Sequence, residues 1–235
     1  RDPADRHPHC LWTVTIDESH PPLPVPEPAV RMGGTRAAAV ALAEIDPAEA
    51  GRADYAGPLV DDLRFADWSR SALVRMAEEV CLQGHMLGLG FRWAMEARVG
   101  DPEVALDASR RQLTGVAGLA AERLRAALGA PGDLDGAASV LAVHPLLQPV
   151  AYTGVEVDAS GERVLVRLPR RSDAVADGGW LALVDADHLE PLHALVRGVD
   201  PHLRVDPVDG GGGAGDDALV VEVVADDEPA PEASE

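Results

Sequence analysis

The sequence contains no lysine and no asparagine, and arginine supplies all 20 of its formal positive charges. Because Schiff-base catalysis and lysine-dependent phosphate loops both need a lysine amine, both are excluded. The lack of asparagine excludes an N-glycosylation acceptor. Aromatic residues make up only 3% of the chain, so the core must rest on leucine, valine and alanine.

Cysteines and long apolar runs are also scarce. Cys10 and Cys81 are the two cysteines and cannot build a disulfide framework, which favours a reducing cytoplasm. No apolar run approaches the roughly 20 residues of a membrane span. Because 40 acidic residues oppose 20 basic ones, the net charge of -20 argues against nucleic acid and membrane surfaces as partners. We therefore expect a soluble, acidic, cytoplasmic protein.

The order of predicted elements indicates an α+β fold in four segments. Residues 1–64 are predicted to be irregular with one strand, at residues 10–16, and residues 65–145 to contain a long antiparallel helical hairpin. Residues 150–225 are predicted to form a small mixed β-sheet with one helix. Residues 226–235 are predicted to be a disordered acidic tail.

The hairpin prediction depends on residues typical of helix ends. Asp67 or Ser69 can cap a first helix, which Gly100 ends. The sequence Asp101-Pro102-Glu103 then starts a second helix that runs to about Leu128. Because only a residue or two separates the helices, we expect them to pack antiparallel.

After the hairpin, the hydrophobic period changes from helical to alternating. We expect a short helix within residues 134–145, a β-hairpin at 153–169 and a further strand at 178–188. A helix that ends at Gly198 and two more strands complete the prediction.

The first long helix has two contrasting faces. When it is projected at about 100° per residue, its most apolar positions share one stripe, which we expect to face the core. This apolar stripe consists of Leu73, Met76, Val80, Leu87, Phe91 and Ala94. Glu78 and His85 lie on the opposite side among arginines and acids, which predicts a solvent-exposed face.

Between these faces runs a small-residue seam, which consists of Ala77, Cys81, Gly84 and Gly88. Glycine costs about 1 kcal/mol against alanine in a helix interior, so we expect something to fill the groove. The second helix has small positions of its own at Gly115, Gly118 and Ala121. Packing between the two helices is therefore favoured over a bound ligand.

The stretch EEVCLQGH supports a second hypothesis for the same helix. Cys81 and His85, four residues apart, can ligate one metal ion, with Glu78 as a third ligand or orienting group. Alternatively, Cys81 is a thiolate nucleophile and His85 its general base. A separate cluster of metal-ligand residue types near the start of the chain consists of His7, His9 and Cys10.

Four arginines form the one local basic cluster, and they are Arg163, Arg167, Arg170 and Arg171. A small anion or an acidic protein surface can dock on such a cluster through bidentate contacts. Charges that guard an edge strand against aggregation are the simpler explanation.

The function expected from these patterns is non-catalytic binding. We expect a protein partner or a small molecule to bind at the small-residue seam, with a homodimer through helices 67–99 and 101–128 as one form of this binding. The alternative is a metal- or thiol-dependent enzyme that uses Cys81, His85 and Glu78. The sequence indicates no particular cofactor.

Overall fold

The computed structural model of the chain describes residues 23–54, 63–159, 163–208 and 217–225. The helices in these ranges are α1 (Glu27–Gly33), α2 (Arg70–Val99), α3 (Pro102–Leu128), α4 (Leu134–Leu141), α5 (Val150–Thr153), α6 (Asp173–Ala176) and α7 (Glu190–Arg197). The strands are β1 (Glu156–Asp158), β2 (Val164–Pro169), β3 (Leu203–Pro207) and β4 (Ala218–Ala225). The strand predicted at residues 10–16 and the acidic tail lie outside the described residues.

The hairpin of α2 and α3 forms at the predicted boundaries. The Ser69 hydroxyl accepts a hydrogen bond from the backbone N–H of Ala72 at 3.2 Å, and α2 ends at Gly100, whose φ of 71° suits glycine. Asp101 accepts from the first backbone N–H groups of α3. The two helices pack side by side. No helix in the described ranges has both the length and the apolar character that crossing a membrane requires.

The four strands form one sheet in the order β1-β2-β4-β3. Every neighbouring pair is antiparallel, with Val166 opposite Val221 and Val205 opposite Val223. These valines are buried against the helices, whereas Glu222, Arg204 and other polar residues alternate onto the outer face. The predicted α+β fold is confirmed, with a sheet that is antiparallel throughout the described residues.

The prediction of a further strand at residues 178–188 is wrong. A short 3₁₀ helix, Trp180–Leu183, takes its place, and Trp180, Leu181 and Leu183 are all buried. A short apolar run can enter the core from a strand or from a helical turn, and its hydrophobic pattern does not distinguish them.

The α3 and α7 helices cross at close range. A Cβ placed on Gly198 would lie 2.5 Å from the Gly118 carbonyl oxygen, and one on Gly118 would lie 3.1 Å from the Ala194 carbonyl oxygen. The small residues of α3 that were predicted to face α2, Gly118 and Ala121, therefore contact α7 or the residue that ends it. Gly115 has open space around it.

The expected orientation of α2 is also wrong. The buried side holds Leu82, His85 and Leu89, whereas Val80 and Leu87 are 64% and 75% exposed. The prediction ranked the faces by apolarity alone. The observed orientation buries an imidazole whose nitrogen has a carbonyl partner, and this reduces the cost of burying a polar ring.

A second histidine is completely buried in the core. His144 donates from Nε2 to the Ala117 carbonyl at 3.1 Å, and its Nδ1 accepts from the backbone N–H of Leu146 at 3.3 Å. These two bonds suit a neutral ring. Burial lowers the pKa of His144 to about 4, although the Ala117 carbonyl opposes the shift.

We expect this histidine to make the fold sensitive to mild acid. The unfolded chain binds a proton at His144 near pH 6.5 and the folded chain only near pH 4, so stability is lost as the pH falls through this window. Urea unfolding at pH 7 and pH 5 should show a loss of about 2 kcal/mol from this group. His144→Gln should lose less stability than the wild type between these two pH values, whereas the exposed control His202→Gln should not differ from the wild type. An unchanged pH dependence in His144→Gln would contradict the assignment.

Candidate functional site

A pocket lies between α2 and α3, beside the 3₁₀ turn, and encloses about 60 Å³. We call it the α2–α3 pocket. One wall belongs to α2 and a second to α3, and residues from three further turns close it. The wall residues are Gly84, His85, Gly88, Leu89 and Arg92 on α2, Ser109, Gln112, Leu113 and Val116 on α3, and Leu146, Gly178, Gly179, Trp180 and Leu183.

The glycines of the small-residue seam form the α2 wall. A Cβ added at Gly84 or Gly88 would meet no other group within 4 Å. Packing against α3 was expected to fill this groove, but the structure leaves it open at these two positions. Ala77 and Cys81, the other seam residues, do not line the pocket.

His85 holds the inner side of the α2 wall. Its Nε2 lies 2.8 Å from the Gln148 carbonyl oxygen, so the ring donates from this nitrogen. The ring also contacts the Tyr152 ring, with 5.1 Å between the centroids. Burial lowers the pKa of His85, and the Gln148 carbonyl only partly opposes this, so the imidazole is neutral near pH 7. His85, predicted to be solvent-exposed, is therefore a packed wall residue.

Two side chains, Arg92 and Asp177, hold the turn that closes the pocket. Arg92 donates to the Gly178 carbonyl at 2.7 Å, which joins this turn to α2. The Asp177 carboxylate accepts from the Tyr152 hydroxyl at 3.1 Å and from the backbone N–H groups of residues 36–37 at 2.9 Å. Burial raises the pKa of Tyr152, and the charge of Asp177 raises it further, so the hydroxyl stays a donor. The pocket wall is fixed by contacts from distant parts of the chain.

Trp180 gives this wall an unusual polar group. The residue is only 6% exposed, and its indole N–H has no hydrogen-bond acceptor within the described part of the chain. It is the one buried side-chain nitrogen or oxygen among the described residues without such a partner. Buried donors normally find a partner, because an unpaired one costs about 1–3 kcal/mol. The nitrogen itself has almost no solvent-accessible surface, so the unpaired N–H is enclosed by packing and is not open to the pocket.

The residues of the metal or thiol hypothesis have different partners. The Glu78 carboxylate accepts from the backbone N–H of Ala43 at 2.7 Å, and His85 is bonded to Gln148. No group of three His, Cys, Asp or Glu side chains in the described ranges could hold a metal ion. The other metal candidates, His7, His9 and Cys10, lie outside these ranges.

Cys81 is a free, half-buried cysteine on α2. Burial raises the pKa of its thiol, and the negative charge of Glu78 raises it further. A raised pKa keeps the sulfur protonated at neutral pH, and the thiol is a weaker nucleophile and ligand than the thiolate. The electrostatic surroundings of Cys81 therefore do not favour thiolate chemistry.

Two of the predicted anion-binding arginines belong to the outer face of the sheet. Arg163, just before β2, makes a bidentate pair with Glu222 on β4, with both N···O distances 2.6 Å. The partner of Arg167 is Glu156 on β1, at 3.9 Å. Cross-strand pairing accounts for both guanidinium groups.

The other two arginines follow β2. Arg171 lies 3.4 Å from the Asp217 carboxylate. Arg170 donates to the Val184 carbonyl at 3.4 Å, while its backbone N–H donates to the Asp217 carbonyl. The contacts of the four arginines are thus spread over several partners, and anion binding by them stays a prediction.

The wall of the α2–α3 pocket is mainly apolar, with a few polar side chains. Its wall, as the described residues form it, contains no carboxylate and no thiol. The Ser109 hydroxyl donates to the Ala105 carbonyl within α3, so no base activates it. The sequence patterns indicate Gly84, His85 and Gly88 as site residues but not Trp180, whose only local signal is the preceding Gly178-Gly179 pair.

We expect Cys81 to react slowly with iodoacetamide at pH 7.5, because its pKa is raised. Glu78→Gln removes the nearby negative charge, keeps an oxygen for the Ala43 N–H, and should accelerate the reaction at Cys81. Peptide-resolved mass spectrometry separates this rate from that of Cys10. Alkylation of Cys81 as fast in the native protein as in urea, or an unchanged rate in Glu78→Gln, would contradict the electrostatic assignment.

No family model, curated protein or solved structure matches this chain.

Proposed function

We propose that this chain is a non-catalytic cytoplasmic protein that binds a small molecule in the α2–α3 pocket, through the part of the seam formed by Gly84 and Gly88. The observation that carries this proposal is the open glycine wall, which faces a cavity of about 60 Å³ between the two long helices.

The shape argument is energetic. Glycine in a helix interior costs about 1 kcal/mol relative to alanine, and neither Gly84 nor Gly88 is required by a close contact within the fold. By contrast, Gly118 lies against α7, where a Cβ would be only 3.1 Å from the Ala194 carbonyl oxygen. A ligand that uses the open space beside Gly84 and Gly88 would account for both glycines.

The pocket also has the character of a binding site. Apolar side chains such as Leu89, Leu113 and Val116 dominate its wall, with few polar groups among them, as in most small-molecule sites. The alternative, a metal- or thiol-dependent enzyme that uses Cys81, His85 and Glu78, gains no support from the contacts of these residues.

A protein partner, including a second copy of the chain, is the other form of binding that the sequence predicts. The exposed side of α2 carries Val80, Leu87 and Phe91, and Leu87 is the most exposed of the three at 75%. A homodimer through α2 and α3 stays a prediction.

Filling the glycine wall should separate stability from binding. In Gly84→Leu and Gly88→Leu the new side chain occupies the pocket, whereas the control Gly115→Leu places it on an exposed, open part of α3. All three variants should gain about 0.5–1 kcal/mol of unfolding free energy from helix propensity. Ligand-observed NMR measures binding of cyclopentanone or methylenecyclopentane. We expect this binding to be lost only in the two pocket variants. Equal binding by wild type and all variants, or no binding of either probe to the wild type, would overturn the proposal.

The dimer prediction is tested by sedimentation velocity over a range of concentrations. If α2 forms the interface, Leu87→Gln should shift the protein from dimer to monomer, because it places an amide in an apolar contact. The control Leu128→Gln changes an exposed leucine at the far end of α3. A wild type that is monomeric at every concentration would contradict the prediction.

A further inference from the structure

We infer that a second pocket, beside β2 and α6, binds the phosphate group of a small phosphorylated molecule. The pocket encloses about 490 Å³, within the roughly 300–1,000 Å³ of small-molecule sites. Three arginines line it, and they are Arg36, Arg170 and Arg171. We call it the arginine pocket. It is separate from the α2–α3 pocket, since no residue lines both.

The fold brings these arginines together from two distant parts of the chain. Arg170 and Arg171 directly follow β2. Arg36 is held beside α6, because Asp173, 137 residues further along, accepts from its guanidinium at 2.8 Å. Asp177 also accepts from the backbone N–H of Arg36, at 2.9 Å. The arginine pocket therefore depends on tertiary contacts and not only on the local cluster in the sequence.

Arg170 provides the donors for a ligand. A guanidinium carries several N–H donors in a fixed fork. One of those on Arg170 donates to the Val184 carbonyl at 3.4 Å, which is long for such a bond. Among the described residues, no carboxylate pairs with this guanidinium. Most of its donors therefore remain available to an anion.

The other two arginines are paired, but at the surface. Arg36 and Asp173 are 60% and 40% exposed, and Arg171 and Asp217, 3.4 Å apart, are 86% and 67% exposed. Ion pairs this exposed contribute little to stability, so a more highly charged anion can compete with these carboxylates. The pocket wall itself holds three guanidinium groups and one carboxylate, in a chain whose net charge is -20.

A phosphate group suits this wall better than a carboxylate. It carries about two negative charges near neutral pH and several terminal oxygens, which guanidinium groups bind in bidentate fashion. The Ser172 hydroxyl accepts from the Val175 N–H at 3.3 Å and can donate its own proton to a further oxygen. Val175 and Ala176 add apolar surface for the organic part of the ligand.

The charge of the whole chain limits the ligand to a small one. A nucleic acid would extend its phosphates over acidic surface, where they are repelled. A small phosphate ester stays within the pocket, and charges farther away than the Debye length of about 8 Å are largely screened.

The test is isothermal titration calorimetry at constant ionic strength with glycerol 2-phosphate, inorganic phosphate and glycerol. We expect glycerol 2-phosphate to bind more tightly than inorganic phosphate, and glycerol not to bind. Arg170→Gln should weaken binding of the ester about tenfold, because it removes charge-assisted hydrogen bonds. The matched control, Arg167→Gln, removes an exposed arginine outside the pocket and should leave the affinity nearly unchanged.

A variant with the opposite effect distinguishes binding from folding. Asp173→Asn removes the carboxylate that competes for Arg36, so it should strengthen binding about threefold. Damage to the fold would weaken binding instead. If Arg170→Gln does not fold, Arg171→Gln, which changes a more exposed side chain, replaces it and should weaken binding in the same direction.

Each contrary outcome removes a stated part of the inference. If neither phosphate binds the wild type, the inference is overturned, whereas the function proposed for the α2–α3 pocket is untouched, because the two pockets share no residue. If inorganic phosphate binds as tightly as the ester, the assignment to a phosphorylated molecule is overturned. Equal weakening in Arg167→Gln and Arg170→Gln would show that overall charge and not the pocket binds the anion. Weaker binding by a folded Asp173→Asn would contradict the role of Arg36.

Discussion

The backbone contact between Gly118 and Gly198 is the constraint on which the rest of the structure depends. It brings α3 directly onto the end of α7, because a side chain on Gly198 would collide with the Gly118 carbonyl and one on Gly118 would be tight against α7. α7 in turn packs on β3 of the sheet. With α3 fixed in the core, the Ala117 carbonyl reaches His144. Gly118 and Ala121 are used in this crossing, so they do not cover the groove beside Gly84 and Gly88.

Sequence predicted the hairpin well because local groups decide its boundaries. Ser69, Gly100 and Asp101 act within a few residues of themselves, through caps and a left-handed backbone. The faces of α2 were predicted wrongly because orientation depends on partners far along the chain. Gln148, which bonds His85, lies 63 residues away. The buried turn at Trp180–Leu183 was wrongly predicted as a strand for a similar reason. Its residues are apolar because they are buried in the core, and their spacing does not distinguish a strand from a helical turn.

The candidate site was found in part. Gly84 and Gly88 stood out because glycine is costly in a helix, a local argument that holds whatever the neighbours are. Sequence could not predict that α3 leaves Gly84 and Gly88 uncovered, because this depends on the way α3 turns toward α7. Apart from the preceding Gly178-Gly179 pair, the sequence contained no signal for Trp180, because a missing hydrogen-bond partner depends on the surroundings that the fold creates. His85 was singled out as a possible ligand, and its carbonyl partner identifies it as a wall residue instead.

The Asp177 carboxylate, which holds residues 36–37 and Tyr152, has a consequence for the order of folding. It joins segments 140 and 141 residues apart, and closing so long a loop carries a large entropic cost. Contacts of this kind form after local ones, such as those within the α2–α3 hairpin. A nascent chain that has completed α3 thus has two walls of the pocket but lacks the turn that closes it. The complete pocket exists only in molecules that have finished folding.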